Sequence, residues 1–201
     1  MNKFNKLILA TTLFGFTAFA QAEESNFAGL TYGKTLNKVS KSTQLDNNLD
    51  HPNIGGAIGS SDNTWGVRLG RQSDSNRYYA TYDNVSGNHN GVKLRQENLL
   101  GSYDLFLPVG SSTRLFGGGT AGLTKLTQDS PGFSRDSNIG YAVGGQAGVL
   151  QKVSQNMSVE LGYRYLRTNA STQVAPHNGG KQGSLDLAST SQTYLSANYL
   201  F

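Results

Sequence analysis

Three histidines, His51, His89 and His177, are the first residues to test for chemistry. An imidazole beside a serine and an acid can activate a nucleophile. On a strand, residues two apart share a face, so a His-x-Ser spacing would bring such a pair together. Here His51 precedes Pro52-Asn53, His89 precedes Asn90-Gly91 and His177 precedes Asn178-Gly179. All three are expected in loops as solvated bystanders. Asp46, Asp50 and Asp62 could suggest Ca²⁺, but their spacing does not match the EF-hand pattern. Phe116-Gly117-Gly118-Gly119-Thr120 lacks the Gly-Lys-Ser/Thr ending of a phosphate loop, and glycine in a curved strand explains it better. No catalytic, cofactor-binding or metal-binding residue is assigned.

The charges that matter are of another kind. Arg68, Asp83, Asp104, Arg114, Glu160 and Arg164 lie inside stretches that alternate between apolar and polar residues. Eight such stretches can be placed, at 26–34, 64–72, 77–85, 93–107, 113–126, 139–151, 157–166 and 186–201. Period-two alternation repeated this often is a strand signal that helices do not mimic. In the seventh, Met157, Val159, Leu161, Tyr163 and Tyr165 face one way, and Ser158, Glu160, Gly162, Arg164 and Leu166 the other. The last stretch sets Leu195, Ala197, Tyr199 and Phe201 on one face.

The connections alternate in length. Segments 73–76, 108–112 and 152–156 are short; 35–63, 127–138 and 167–185 are long; 86–91 is intermediate. That is the pattern of an all-β, eight-stranded, antiparallel up-and-down transmembrane β-barrel with long extracellular loops and short periplasmic turns. Volume decides which face points in. Eight strands enclose a space just wide enough to fill with side chains. The bulky set fits a lipid face, and the face rich in Gly, Ser, Thr and charges fits the lumen. Aromatics also sort by height. Tyr32, Trp65, Tyr141 and Tyr165 lie beside the long loops, and Tyr78, Tyr103, Tyr199 and Phe201 near the short turns, as two interfacial girdles require.

Charges inside a narrow barrel must be paired. Asp104 and Arg114 lie at similar distances from the 108–112 turn, so they are expected to form a buried pair, with Glu160 as third member and Arg68, Asp83 and Arg164 higher. A packed plug is the reading preferred over an ion filter. On the seventh strand, Leu161→Arg should be costly and Gly162→Ser milder.

Residues 1–22 carry Lys3 and Lys6, an apolar run and Ala20-Gln21-Ala22, the pattern of a signal peptide cleaved after Ala22. Residues 23–201 then form one barrel domain. Cleavage lowers the formal charge from +4 to +2, because Lys3 and Lys6 leave and no acid does. The pI of about 9.3 comes from scattered basic residues, so no nucleic-acid partner is expected. The mean hydropathy of -0.42 reflects lumen and loop residues.

The stretch Tyr141-Ala142-Val143-Gly144-Gly145-Gln146-Ala147-Gly148-Val149, with 157–165 and the terminal Asn198-Tyr199-Leu200-Phe201, resembles the small outer-membrane β-barrel superfamily of OmpA membrane domains, OmpX and opacity-type proteins. The resemblance implies location in the cell outer membrane among lipid and lipopolysaccharide. It also implies that Tyr199 and Phe201 form the signal read by the barrel-assembly machinery. Such barrels serve as adhesins, structural proteins, resistance factors or enzymes. The expectation is a non-enzymatic surface anchor whose loops meet an unidentified extracellular partner in adhesion, defence or envelope integrity. A narrow porin-like channel and a lipid A-modifying enzyme are the alternatives.

Overall fold

Alternating residues become long antiparallel strands because each side of the ribbon meets a different medium. The computed structural model describes residues 24–41, 58–89, 92–129, 136–174 and 183–201. The strands β1 (Ser25–Lys41), β2 (Ile58–Gln72), β3 (Asn76–His89), β4 (Val92–Pro108), β5 (Thr113–Asp129), β6 (Asp136–Lys152) and β7 (Met157–Thr168) each pair with the next. β7 pairs with β9 (Gly183–Leu200), and β9 returns to β1, with Phe27 opposite Leu200. The short β8 (Ser171–Val174) continues β7 after a break at Asn169 and Ala170 and pairs with the start of β9. Eight staves therefore close on themselves.

The register fixes the width. From Tyr32, the row of directly opposed residues runs through Trp65, Asn84 and Glu97 to Lys125 on β5. In the other direction it runs through Leu195, Leu161 and Val149 to Leu115 on the same strand. The two arrivals are ten residues apart, which is the shear of the barrel. Strand number and shear together set tilt and diameter, and an eight-stranded barrel has room only for side chains inside.

Three short turns, 73–75, 109–112 and 153–156, share one rim. Ser73 shapes the first by accepting hydrogen bonds at Oγ from the amides of Ser75 (3.3 Å) and Asn76 (3.2 Å). Towards the other rim the strands run further than the sequence suggests. β1 continues to Lys41, β2 begins at Ile58 and β5 continues to Asp129; β8 lies within the segment expected as the last loop. Pairing in these hairpins continues past the apolar band, where Asn, Ser and Lys read as loop residues. His89 is accordingly the last residue of β3, opposite Val92, rather than a loop residue. Asp62 is likewise on the inward face of β2. The signal-peptide region, His51, His177, Asp46 and Asp50 lie outside the described residues.

Burial follows parity: β7 alternates exposed and buried along nearly its whole length. Leu30, Leu69, Leu99, Leu123, Leu161 and Leu195 face outward, each about half exposed or more. Inside, Phe106, Phe116 and Leu150 form a floor with Tyr194, and Leu100, Ala142 and Leu166 make a higher layer. Leu126, Ala170 and Leu187 cap the top.

Gly162 carries a packing constraint that parity does not show. A Cβ at this position would meet the Tyr194 ring and hydroxyl, so serine there carries a packing cost although it faces the lumen. We expect Leu161→Arg to destabilise by about 2–4 kcal/mol from lipid exposure. Gly162→Ala should cost about 1–3 kcal/mol from overpacking. Urea unfolding in lipid vesicles measures both. The glycine penalty should shrink in a Tyr194→Leu background, whereas the arginine penalty should not.

Candidate functional site

Inward-facing positions on β2, β3, β4, β6 and β7 converge on a buried chain of charges. Glu160 stands between two arginines: Arg68 Nη1 donates to Oε1 at 2.7 Å and Arg77 Nη1 to Oε2 at 2.5 Å. Arg77 Nε also donates to Asp104 Oδ2 at 2.8 Å. The Tyr79 hydroxyl donates to the same oxygen at 3.0 Å, and Gln146 Nε2 donates to Oδ1 at 2.7 Å. Gln146 then accepts at Oε1 from Arg164 Nε (2.8 Å), and Arg164 Nη1 reaches Asp83 Oδ2 at 2.7 Å. The chain runs without a gap from Arg68 to Asp83.

None of these ions reaches water. The side chains of Arg68, Glu160, Arg77 and Asp104 have no exposed surface. Arg77 lies over Phe116 (4.6 Å to the ring centre), Tyr79 (5.0 Å) and Phe106 (5.3 Å), and Arg68 lies over Tyr194 (4.5 Å). Aromatic faces thus meet the guanidinium planes that the carboxylates leave uncovered. Three cations and three anions balance, as burial demands.

The structure brings together Arg68, Asp83, Asp104, Glu160 and Arg164, but it separates Arg114 from them. Across the β4–β5 hairpin, Pro108 opposes Arg114 and Asp104 opposes Gly118. Asp104 therefore sits four residues above the level of Arg114, roughly 13 Å along the strand. The expected Asp104–Arg114 pair does not form. Asp104 instead opposes Arg77 directly in the β3–β4 ladder. Arg114 stays at the short-turn rim, where its Nη2 donates to Asp74 Oδ1 at 2.5 Å and its guanidinium lies over Phe106 (5.5 Å). Sequence reasoning missed Arg77, Tyr79 and Gln146. Parity alone signals the first two, since 77, 79, 81 and 83 share the inward face of β3.

The outer wall carries a second arrangement. Tyr32, Trp65, Tyr103, Tyr141, Tyr165, Tyr199 and Phe201 are all exposed, and Tyr78 is half-buried. One outward position beyond Tyr32, Leu123 and Tyr165, towards the long-connection rim, stand Lys34, Lys125 and Arg167, all exposed. Arg95 Nη2 donates to Glu97 Oε1 at 3.0 Å, as does the Tyr82 hydroxyl at 2.7 Å; Lys125 Nζ lies 4.0 Å from Oε2. At the opposite rim Phe201 exchanges backbone hydrogen bonds with Asn26 (2.9 and 3.0 Å) and stacks on Tyr199.

No protein-family model and no curated protein matches the chain. Solved structures do. Outer membrane protein H (OprH) from P. aeruginosa, in DHPC micelles, is 59% identical, with 88% of this chain and 99% of that one covered and a TM-score of 0.56. The chain belongs to the OprH family. Two outer-membrane barrels of low identity share the fold. Neisserial surface protein A is 13% identical, covering 87% of this chain and 97% of that one at a TM-score of 0.61. Ail of Yersinia pestis, in complex with the heparin analogue sucrose octasulfate, is 12% identical, covering 88% and 99% at 0.53. This OprH-family chain is therefore an outer-membrane β-barrel of the small eight-stranded class, as its sequence pattern indicates.

The rewired pairs make a direct test. Arg77→Ala strands the charge of Asp104 and leaves Glu160 with Arg68 alone, and should cost about 3–5 kcal/mol. Arg77→Ala with Asp104→Ala should cost less than the sum of the two. Arg114→Ala with Asp104→Ala should be additive within about 0.5 kcal/mol. Equilibrium unfolding in vesicles decides both cycles.

The rim pair has a pH signature. The hydrogen bond and positive charge of Arg114 hold the Asp74 carboxyl below its ordinary range. A depressed folded value stabilises above the unfolded value and loses that contribution as pH falls through the folded one. Asp74 is exposed, so the effect is at most about 1 kcal/mol. Asp74→Asn should lower stability slightly at neutral pH, and the difference should vanish in strong acid.

Proposed function

We propose that this OprH-family barrel is a closed, non-enzymatic anchor that supports envelope integrity, holding lipopolysaccharide at its outer wall and presenting its longer connections to partners outside the cell. One observation carries the closed state: Glu160 is gripped by Arg68 on one side and Arg77 on the other, with no exposed surface on any of the three. A sugar-sized solute would have to break this chain and displace the apolar layers above and below it.

The outer wall supports the lipid reading. Lys34, Arg95, Lys125 and Arg167 outnumber Glu97 just beyond the apolar band on the extracellular side. Lipopolysaccharide phosphates lie at that level. Long cationic side chains reach such headgroups while their stems stay on the apolar wall. The aromatic residues at the two rims act as girdles in this reading. Tyr199 and Phe201 serve as the signal that the barrel-assembly machinery recognises.

In planar bilayers the folded monomer should give no stable, large conductance and admit no sugars. Stable water-filled channels would favour the porin-like alternative. Lys125→Ala and Arg95→Ala should each weaken retention of lipopolysaccharide about five-fold on reconstitution, near 1 kcal/mol per cation. Unchanged retention in both variants would remove the lipid part of the proposal. Altered lipid A in cells expressing the protein, read by mass spectrometry, would favour the enzyme instead.

A further inference from the structure

The seam where β9 closes on β1 carries a notch in the lipid face. Opposed residues there are Leu69, Ala28, Tyr199 and Met157 in one row, with Leu30 and Ala197 in the next. The two alanines are far smaller than their neighbours. The wall dips between them, leaving an apolar hollow of about 570 Å³ flanked by Leu30, Leu69, Met157 and Tyr199. The hollow lies in the half of the barrel nearer the short turns, facing the inner leaflet.

One row further towards those turns, Arg71 opposes Asn26. Arg71 Nε donates to Asn26 Oδ1 at 3.1 Å, and Nη1 reaches Glu24 Oε2 at 3.4 Å. These contacts use two of the five guanidinium donors and fix its plane. The side chain remains partly exposed beside the mouth of the hollow. Glu24 opposes an anion there, but it is itself partly solvated and its contact is long.

We propose that this seam holds one inner-leaflet phospholipid, its phosphate on the free edge of Arg71 and one acyl chain lying in the hollow over Ala28 and Ala197. The charge of Arg71 complements the phosphate, and the hollow begins one row away, so one molecule spans both. The site is separate from the lipopolysaccharide collar and stands or falls independently of it.

Native mass spectrometry of the full mature chain tests this, with protein released from vesicles of phosphatidylethanolamine and phosphatidylglycerol at three to one. The wild type should retain a single phospholipid. Arg71→Gln should reduce retention about five-fold. Ala197→Leu, which fills the hollow from the lipid side, should abolish it with Arg71 intact. Lys152→Gln, at the end of β6 on the same rim but away from the seam, should leave it unchanged. Equal retention in the wild type, Arg71→Gln and Ala197→Leu would overturn the proposal, as would no retained phospholipid in the wild type.

Discussion

A barrel of eight strands with a shear of ten has no space for bulk water around a charge, and the rest of the interior follows from that. Any ion on an inward position must find its counter-ion across the lumen or unfold the wall. The connected chain joins three arginines and three acids there, threaded through Gln146 and Tyr79. Of the three acids in the chain, Glu160 alone is shared by two arginines. Four links, Arg68–Glu160, Arg77–Glu160, Gln146–Asp104 and Arg164–Asp83, join strands that are not consecutive, so the chain ties β2, β3, β4, β6 and β7 in one register. Replacing such a network by apolar groups can be neutral for stability, but removing one member is not.

The apolar layers make the same constraint stricter. Phe106, Phe116 and Leu150 lie below the ions, and Leu100, Ala142 and Leu166 above. Seclusion strengthens each ion pair and raises the cost of an unpaired one. The wall is therefore stiff where it crosses the membrane, and in the proposed function its outer surface and connections are what vary. Low-identity relatives with the same fold fit that division: they share a barrel, and fold alone does not set activity.

Much of this was legible in the sequence. Alternation over 157–166 gave inside and outside for β7, and the aromatic residues on the outer wall, Tyr32 through Phe201, could be placed by parity alone. Five of the six charges placed in the lumen converge there. The pairing was less legible, because it depends on register across hairpins, and a count from the turn misplaces partners when the turn residues themselves pair. Pro108 opposite Arg114 shifts Asp104 four residues away and hands it to Arg77. The clash awaiting a side chain at Gly162 was also hidden, because its cause, Tyr194, is thirty-two residues away on another strand. The upper hairpins were read too short, since polar residues in a paired ribbon beyond the membrane look like loop.

The lumen arginines Arg68, Arg77 and Arg164 are sealed from water in ion pairs. Side-chain ¹⁵N NMR of the guanidinium groups in bilayers tests it most directly. Arg68, Arg77 and Arg164 should show resolved N–H signals with hindered rotation and slow exchange with water, while Arg95 and Arg167 exchange fast. Exchange of Arg77 as rapid as that of Arg95 would mean an open, wet lumen and would contradict the account.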